Sequence, residues 1–502
     1  MPATQSDVVL RHDLIKQLAD ARQRSDELFA LVKPDSLYER PIAERHRIVF
    51  YIGHLEAFDW NLFHERALGL KRFHSEFDRL FAFGIDPVGG GLPTDQPSDW
   101  PSIIAVRDYV KRIRNVLDEK LADALADSVP PTPEGFPLST LLNVAIEHRL
   151  MHAETLAYML HQLPLDRKVP QHESITLGTS PLTHRSIEIP AGTATLGLSR
   201  AGALFGWDNE FEEHSVDVPA FAIEQYKVTN RQFLDFIAAG GYETRAFWRD
   251  DSGDDWNWKS QNGISHPAFW RREGDQWLYR TMFEDVPLPL DWPVYVSQGE
   301  AKAYANWAGK SLPTEAEWYR AAYGTPSGDE QAYPWGGQTP DATLGNFDFA
   351  RWSPVAVNAF TKGKSAFGVH GMLGNGWEWT SSTFASFPGF EPFPFYPGYS
   401  ANFFDGKHFV MKGGSARTAA CMLRRTFRNW FQAHYQYIYT GFRCVSRPLV
   451  QRSIFKLEDR HKELSHARPR HYRQRQLRIR SRCARRSDHA RPERIAVQIF
   501  VR

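Results

Sequence analysis

The sequence predicts an α+β protein in which an N-terminal helical bundle precedes a domain of short strands and long loops. Residues 1–165 carry apolar side chains at every third or fourth position, the period of amphipathic helices. From residue 187 to residue 448 this period is lost, and Gly, Pro and Trp interrupt short apolar runs. The polar segment 166–186 predicts a linker, and residues 449–502 form a basic tail.

Four helices are expected in the first domain. The apolar period covers four stretches, at about residues 8–32, 38–69, 101–127 and 137–164. Pro101 stands at the start of the third stretch, and proline is typical of a first helical turn. Four helices with connections of this kind indicate a bundle. In the second domain one clear helical pattern, at 297–323, is interrupted near Leu312 and Pro313.

Composition is typical of a globular protein, with 42% hydrophobic and 24% charged residues. No apolar stretch approaches the roughly 18 residues of a membrane span. The N-terminus lacks the apolar core of a secretory signal. The three cysteines, Cys421, Cys444 and Cys483, are not at metal-binding spacing. We therefore expect a cytoplasmic protein without disulfides.

Charge is distributed unevenly along the chain. The net charge of +1 hides a tail, residues 451–502, with 16 Lys or Arg against 5 Asp or Glu. A basic segment with few aromatic residues is expected to be disordered. The alternatives are binding of this tail to nucleic acid or to an anionic membrane, and an unnatural extension past the end of the domain. For the protein we expect small-molecule partners rather than a membrane or nucleic acid, and the sequence leaves the oligomeric state open.

Three histidines are candidate metal ligands. His148 and His152 are four residues apart in the fourth helical stretch, so their imidazoles project from one face, one turn apart. His54 lies in the middle of the second stretch among apolar and aromatic neighbours. Bundles commonly build metal sites from inward-facing side chains, and imidazoles without thiolates suit iron, zinc, copper or nickel. Three protein ligands would leave open positions for substrates, as a catalytic site requires.

Each of these side chains also has an ordinary structural interpretation. Histidine pairs at this spacing often lie on a helix surface, and a histidine among apolar neighbours is often a hydrogen-bonded core residue. Asp59, Glu147 and Glu154 are close in sequence to the three histidines and are candidates for fixing their tautomers. The alternative for these three carboxylates is ordinary surface charge.

The arrangement of the three histidines resembles that of the ergothioneine sulfoxide synthases. In that family a DinB-like four-helix bundle holds iron(II) with one histidine and a later His-x-x-x-His pair, and His54, His148 and His152 match those positions. The second half resembles the C-type-lectin-like formylglycine-generating-enzyme (sulfatase-modifying factor) domain that follows this bundle. The matching strings, in the family's order, are IPAGTATLG (189–197), GWDNE (206–210), YKVTNRQF (226–233), WPVYVSQGEAKAYANWAGKSLPTEAEWYRAA (292–322), GMLGNGWEWTSS (371–382), MKGGSA (411–416), LRRTFRNW (423–430) and GFRCV (441–445).

The resemblance implies an iron(II)-dependent oxidoreductase. Its reaction would use O₂ to form a C–S or C–Se bond at the imidazole C2 of hercynine, which is trimethylhistidine. Related copper enzymes use a cysteine pair in the second domain, but Cys421 and Cys444 do not lie in a matching context. The resemblance therefore favours the iron branch of these enzymes.

The matched strings also contain candidates for binding the substrate. A trimethylammonium group suits an aromatic pocket because of cation–π attraction. The aromatic candidates are Trp377, Trp379, Phe427, Trp430 and Phe431, and the polar candidates are Arg424, Arg428 and Asn429. Tyr396 and Tyr399 are the candidates for the family's catalytic tyrosine. Each of these residues can instead belong to the core.

The segment 84–101 departs from the family pattern. Many ergothioneine synthases carry arginines there that bind the carboxylates of gamma-glutamylcysteine or cysteine, but this segment contains none. An acidic thiol donor would therefore lack its counter-charges. Selenoneine synthases resemble this family in architecture and use a neutral selenosugar, whose hydroxyls Asp95 and Gln96, together with Asp86 and Asp99, could bind. We therefore favour a selenoneine synthase-like enzyme.

Three alternatives stay open. The first is an ergothioneine sulfoxide synthase that uses gamma-glutamylcysteine or cysteine. The second is a DinB-type hydrolase or transferase with zinc or nickel on the same histidines. The third is a non-catalytic, lectin-like binding protein whose bundle histidines no longer hold a metal. The bland interpretation of residues 84–101 is a surface loop.

Overall fold

The structure is a computed structural model that describes residues 5–85, 92–126, 135–177, 182–201, 203–249 and 254–447. Its helices in the first domain are α1 (Gln5–Ala30), α2 (Ile48–Phe63), α3 (Ser75–Phe83), α4 (Ile103–Ala126) and α5 (Leu138–Gln162). Helix α1 packs along α5 and α2 along α4, while α2 also contacts α3 and α5. The four long helices thus form the predicted bundle. The basic tail and Cys483 lie outside the described residues.

The second predicted helix is shorter than the sequence pattern indicates. Residues 38–47 form turns that include Pro41, and a proline cannot supply the backbone donor that a helix interior needs. After Phe63 the chain turns again and reaches Gly69, whose positive φ of 59° suits glycine. The short helix α3 follows, and the sequence pattern did not predict it.

Helix α5 is the central element of the molecule. Of its 25 residues 20 are buried, so it is enclosed on every side rather than on one face. One side packs in the bundle, and the other faces the second domain. The buried polar groups on this helix therefore need partners from both domains.

The second domain is built from short elements. Its helices are α6 (Asn230–Ala238), α7 (Asp254–Gln261), α8 (Gln298–Trp307) and α9 (Glu315–Tyr323). Its strands are β1 (Ser186–Ile189), β2 (Gly192–Leu196), β3 (His214–Val218), β4 (Phe221–Glu224), β5 (Trp270–Glu273), β6 (Gln276–Arg280), β7 (Asp285–Pro287), β8 (Trp377–Thr383), β9 (His408–Lys412), β10 (Asn429–Gln432), β11 (Thr440–Gly441) and β12 (Val445–Ser446). The predicted α+β class is confirmed.

The strands form four small sheets. Their orders are β1-β4-β12, β10-β9-β8-β11, β2-β3 and β5-β6-β7. Strand β9 pairs antiparallel with both β8 and β10, and β11 lies parallel to β8. The predicted interruption near Pro313 separates α8 from α9. Ser297 and Thr314 cap the two helices, each through a reciprocal capping box.

Two carboxylates of α5 join the bundle to the second domain. Glu147 accepts a hydrogen bond from Trp207 Nε1 at 2.7 Å. Glu154 accepts from Trp377 Nε1 and from Thr418 Oγ1, both at 2.8 Å. Both carboxylates are buried, so the interpretation of Glu147 and Glu154 as surface charge is wrong. In the described part of the chain, no helix has the length and apolarity that a membrane crossing requires.

Candidate metal centre and adjoining cavity

The three predicted histidines meet in the bundle core. His54 comes from α2, and His148 and His152 come from α5; one ring nitrogen from each lies within 4.8 Å of the others. His54 Nε2 and His152 Nε2 are 3.2 Å apart. Two nitrogens bound at about 2.1 Å to one metal lie roughly 3.0–3.4 Å apart, so this pair is already at ligand spacing. The residues present therefore fit a metal ion.

Hydrogen bonding sets the tautomer of His54. Its Nδ1 lies 2.7 Å from the carbonyl oxygen of Phe81, which only accepts, so the proton is on Nδ1. The lone pair of Nε2 then faces the other two histidines, as a metal ligand requires. The outer partner that holds this imidazole is thus a backbone carbonyl of α3 rather than one of the predicted carboxylates.

Aromatic rings hold the imidazoles in place. Phe58 stacks on His148 with ring centroids 3.4 Å apart, and Phe50 stacks on His54 at 4.8 Å. Tyr51 lies beside His152 at 5.8 Å. These rings fix the direction of each imidazole and keep water away from the group.

Burial makes the three imidazoles neutral. It lowers the pKa of His54 to about 4 and lowers the pKa of His148 and His152 well below the ordinary value. The neighbouring imidazoles add to the effect at His148 and His152, because two cations cannot be held so close together. Neutral imidazoles are the form that binds a metal.

We expect the metal-free protein to lose stability as the pH falls from about 6.5 to about 4. In this window the unfolded histidines bind protons and the buried ones do not, so acid favours unfolding. The pKa shift of His54 alone should lower the free energy of unfolding by about 3 kcal/mol over this pH range. Urea denaturation at several pH values measures this slope.

The matched control is a variant that carries His54→Phe. The pH dependence of its unfolding free energy should be smaller than that of the wild type, because His54 no longer contributes. It should not vanish, because the other buried histidines still contribute. His46 and His161 are such residues, with pKa values that burial lowers to about 4 and about 3. Equal slopes for the two proteins would contradict a neutral, buried His54.

Both candidate tyrosines lie at the junction of the domains. The ring of Tyr396 lies 6.4 Å from that of His148. Its hydroxyl is buried and has no hydrogen-bond partner among the described residues. Tyr399 stacks on Trp207 at 4.0 Å and donates to Met151 Sδ at 3.4 Å. Burial raises the pKa of both phenols, so each keeps its proton at neutral pH.

A cavity lies between α5 and the second domain. Four residues of α5 line one side: Met151, Glu154, Thr155 and Tyr158. The other side consists of Trp377, Tyr399, Met411, Met422, Phe427, Arg428, Asn429, Trp430, Phe431 and Ile438. Six of the eight residues predicted from the second domain's matched strings thus line one cavity, beside the helix that carries two of the histidines.

Two predicted residues from the matched strings lie outside this wall. Trp379 is fully buried in the core, where its indole donates to the carbonyl of Val296 at 2.9 Å. Arg424 is paired with Glu147, at 2.6 Å, and with Glu210. Arg424 therefore ties α5 to the second domain, and both of its carboxylate partners are buried.

Asp95, predicted to bind sugar hydroxyls, already has donors at both of its carboxylate oxygens. Arg40 pairs with it, Arg47 Nε donates at 3.0 Å, and Trp100 Nε1 donates at 2.7 Å. Its side chain is buried away from the cavity wall. The structure thus gives Asp95 a role in holding the loop before α4.

Gln96 and Asp99 are also not among the residues that line the cavity. Gln96 and Asp99 are exposed, and Asp99 Oδ2 accepts from the backbone N–H of Gln96 at 2.7 Å. Asp86 lies outside the described residues. Nothing on the cavity wall comes from the segment 92–101.

The sequence reasoning missed the cavity residues of α5. Met151, Thr155 and Tyr158 follow one another at three- and four-residue spacing and so share the face next to His148 and His152. This spacing was visible in the sequence, but apolar and small residues carry no chemical signature. Only the second domain, packed against that face, turns it into a cavity wall.

Comparisons with known proteins agree with this architecture. Residues 17–156 match the DinB superfamily, and residues 175–448 match the sulfatase-modifying factor enzyme 1-like domain. The hercynine oxygenase of Mycolicibacterium smegmatis is 34% identical over 463 residues, which cover 87% of this chain and 99% of that protein.

Two further relatives carry related names. The hercynine oxygenase of Mycobacterium tuberculosis is 36% identical over 68% of this chain and 77% of its own length. Ergothioneine biosynthesis protein 1 of Neurospora crassa is 28% identical over 83% of this chain and 55% of its own length. Both domains and nearly the whole length of a relative are thus matched, and the predicted resemblance to the ergothioneine sulfoxide synthases is confirmed. The chain belongs to the hercynine oxygenase family, the ergothioneine sulfoxide synthases, which join a DinB bundle to a sulfatase-modifying-factor-like domain.

Proposed function

We propose that the protein is an iron(II)-dependent enzyme that uses O₂ to join a sulfur or selenium donor to C2 of the hercynine imidazole. The observation that carries this proposal is the group of three buried, neutral imidazoles beside an aromatic cavity. The names of the relatives, hercynine oxygenase and ergothioneine biosynthesis protein, support hercynine as the substrate.

The donor set fits iron(II). His54, His148 and His152 offer three imidazoles and no thiolate, and three protein ligands leave positions open. When bound, iron(II) supplies the activation of O₂ and a position for the substrate imidazole. The protein keeps the three imidazoles neutral and correctly oriented through Phe81, Phe58 and the low polarity around them.

The cavity residues receive roles according to their chemistry. The rings of Trp377, Phe427 and Trp430 provide faces for the trimethylammonium group. Asn429 offers a polar side chain at the same wall. Tyr396 is not on the cavity wall, but it holds a proton on a buried hydroxyl near His148, which suits a proton donor to the reacting substrate.

Two classes of donor, a thiol and a selenosugar, are candidates for the atom that is joined to hercynine. A sulfur donor fits better at the family level, because the relatives are named for ergothioneine biosynthesis. A selenosugar is the second candidate, and one observation favours it. The two predicted arginines are each already paired with carboxylates: Arg424 with Glu147 and Glu210, and Arg428 with Glu315. Asp95 and Gln96 no longer support a sugar site, since neither lines the cavity.

Anaerobic purification, iron(II) loading and addition of hercynine, O₂ and a donor test the proposal. We expect O₂ consumption that depends on both hercynine and iron, and a product in which mass spectrometry finds a new bond at C2. Parallel reactions with gamma-glutamylcysteine, cysteine and selenosugar identify the donor. Zinc-loaded protein is the matched control; turnover with zinc or under argon would instead indicate a DinB-type hydrolase or transferase.

A further inference from the structure

Arg45 is a buried cation beside the cavity. It lies in the turn before α2 and is only 6% exposed. Its Nη2 donates to Tyr158 Oη at 2.6 Å, and its Nε donates to Tyr435 Oη at 2.9 Å. Tyr51 also faces the guanidinium. The hydrogen-bonding partners of this arginine are therefore phenols.

None of these phenols supplies a negative charge. Burial raises the pKa of Tyr158 and of Tyr435, so the two phenols that accept hydrogen bonds from Arg45 are neutral. Among the described residues, no Asp or Glu forms an ion pair with Arg45. A buried guanidinium without a counter-ion is unfavourable, and an anion bound nearby would relieve it.

Arg45 differs in this respect from the arginines that the sequence singled out. Arg424 and Arg428 each bind buried carboxylates of the protein itself. Those two cations are neutralised before any substrate enters. Arg45 keeps its full charge next to the cavity.

The guanidinium lies directly behind the cavity wall. Tyr158 and Phe431 line the cavity, and the guanidinium carbon of Arg45 is 5.7 Å and 5.8 Å from their ring centroids. Tyr435 stacks on Phe431 with centroids 5.1 Å apart. Tyr158 thus belongs both to the cavity wall and to the hydrogen bonds of Arg45.

We propose that Arg45, together with Tyr158 and Tyr435, recognises the carboxylate of a substrate bound in the cavity. The carboxylate provides the paired counter-charge that no described Asp or Glu gives to Arg45, and it accepts hydrogen bonds from the guanidinium or from a phenol that the guanidinium polarises. The inference rests on the proposed function, since hercynine and the acidic thiol donors each carry a carboxylate. Arg45 is a positioning residue where it acts through Tyr158.

Binding of hercynine and of its decarboxylated analogue, trimethylhistamine, tests the proposal. Calorimetry uses the iron(II)-loaded protein under argon. We expect Arg45→Met to weaken hercynine binding roughly 10- to 100-fold and to leave binding of the analogue unchanged. Arg45→Lys should recover part of the affinity because it keeps the charge. Tyr158→Phe removes only the hydroxyl and should also weaken hercynine binding. It replaces Arg45→Met as the test if that variant does not fold.

Arg417→Met is the matched control. Arg417 is equally buried and is not among the residues that line the cavity. It donates to the backbone carbonyls of Phe349 and Arg351 and stacks on Trp352 at 3.8 Å. Its loss should leave the affinity for hercynine unchanged. This control separates carboxylate recognition from a general effect of losing a buried arginine.

A second arm assigns the source of the carboxylate. Binding of gamma-glutamylcysteine and cysteine is measured in the presence of hercynine. A loss confined to these donors still supports a carboxylate site and assigns it to the donor. Equal losses for hercynine and its analogue, or no loss for any carboxylate, would overturn the proposal. Wild-type protein that binds none of these ligands would instead disprove the proposed function.

Discussion

Replacement of His152 by alanine is expected to give a folded protein that no longer holds iron. The change removes one of the three proposed ligand nitrogens, the one that lies 3.2 Å from His54 Nε2. Two imidazoles on different helices cannot replace it. Loss of even an outer partner of a ligand costs about 10–100-fold in affinity or activity, so loss of a ligand should cost more. Metal analysis after loading, and the spectrum of the iron–nitric oxide complex, measure the outcome without turnover.

His161→Ala is the control for this experiment. His161 is a buried histidine on the same helix, but it binds Tyr439 Oη and the carbonyl of Arg280 in the domain interface. We expect His161→Ala to lose stability and to keep its iron. A stoichiometric iron content in His152→Ala would refute the three-histidine site.

Replacement of Arg149 by methionine is expected to lower the free energy of unfolding by about 3–5 kcal/mol. Arg149 is 1% exposed and joins α5 to α2. Its Nη1 lies 3.0 Å from Glu56, and its Nη2 lies 2.7 Å from Asp59. Arg114 still pairs with Glu56 at 2.7 Å, so the substitution mainly removes the ion pair of Asp59. Urea denaturation measures the change.

Two further variants sharpen this test. Arg24→Met removes a more exposed ion pair with Asp348, at 3.6 Å, and should cost no more than about 1 kcal/mol. Adding Asp59→Leu to Arg149→Met removes the carboxylate that was left without its main partner and should recover part of the stability. If Arg149→Met lowered the free energy of unfolding by less than Arg24→Met does, Arg149 would not hold the two helices together.

Local sequence patterns determined much of this protein. The four-residue spacing of His148 and His152 places both imidazoles on one side of α5 whatever surrounds the helix. The three- and four-residue apolar period defined the long helices, and Pro313 marked the break between α8 and α9. The substrate-binding candidates taken from the matched strings of the second domain supply six of the fourteen residues of the cavity wall. Each of these features depends on neighbours a few positions away.

The tertiary structure decided the roles of the charged residues. The sequence could not show that Glu154 would meet Trp377, 223 positions away, or that Arg424 would meet Glu147 across 277 positions. It also could not show that Asp95 would form ion pairs with Arg40 and Arg47.

The physical reason is the range of the interactions. Helical spacing and capping follow from backbone geometry over one or two turns, so the sequence by itself placed His148 and His152 on one face of a helix. The role of a buried charged residue depends on which partner the fold brings beside it. The sequence therefore identified the candidate histidine pair, whereas only the packed domains showed that Arg424 and Arg428 are paired with carboxylates and that Arg45 is bonded to phenols.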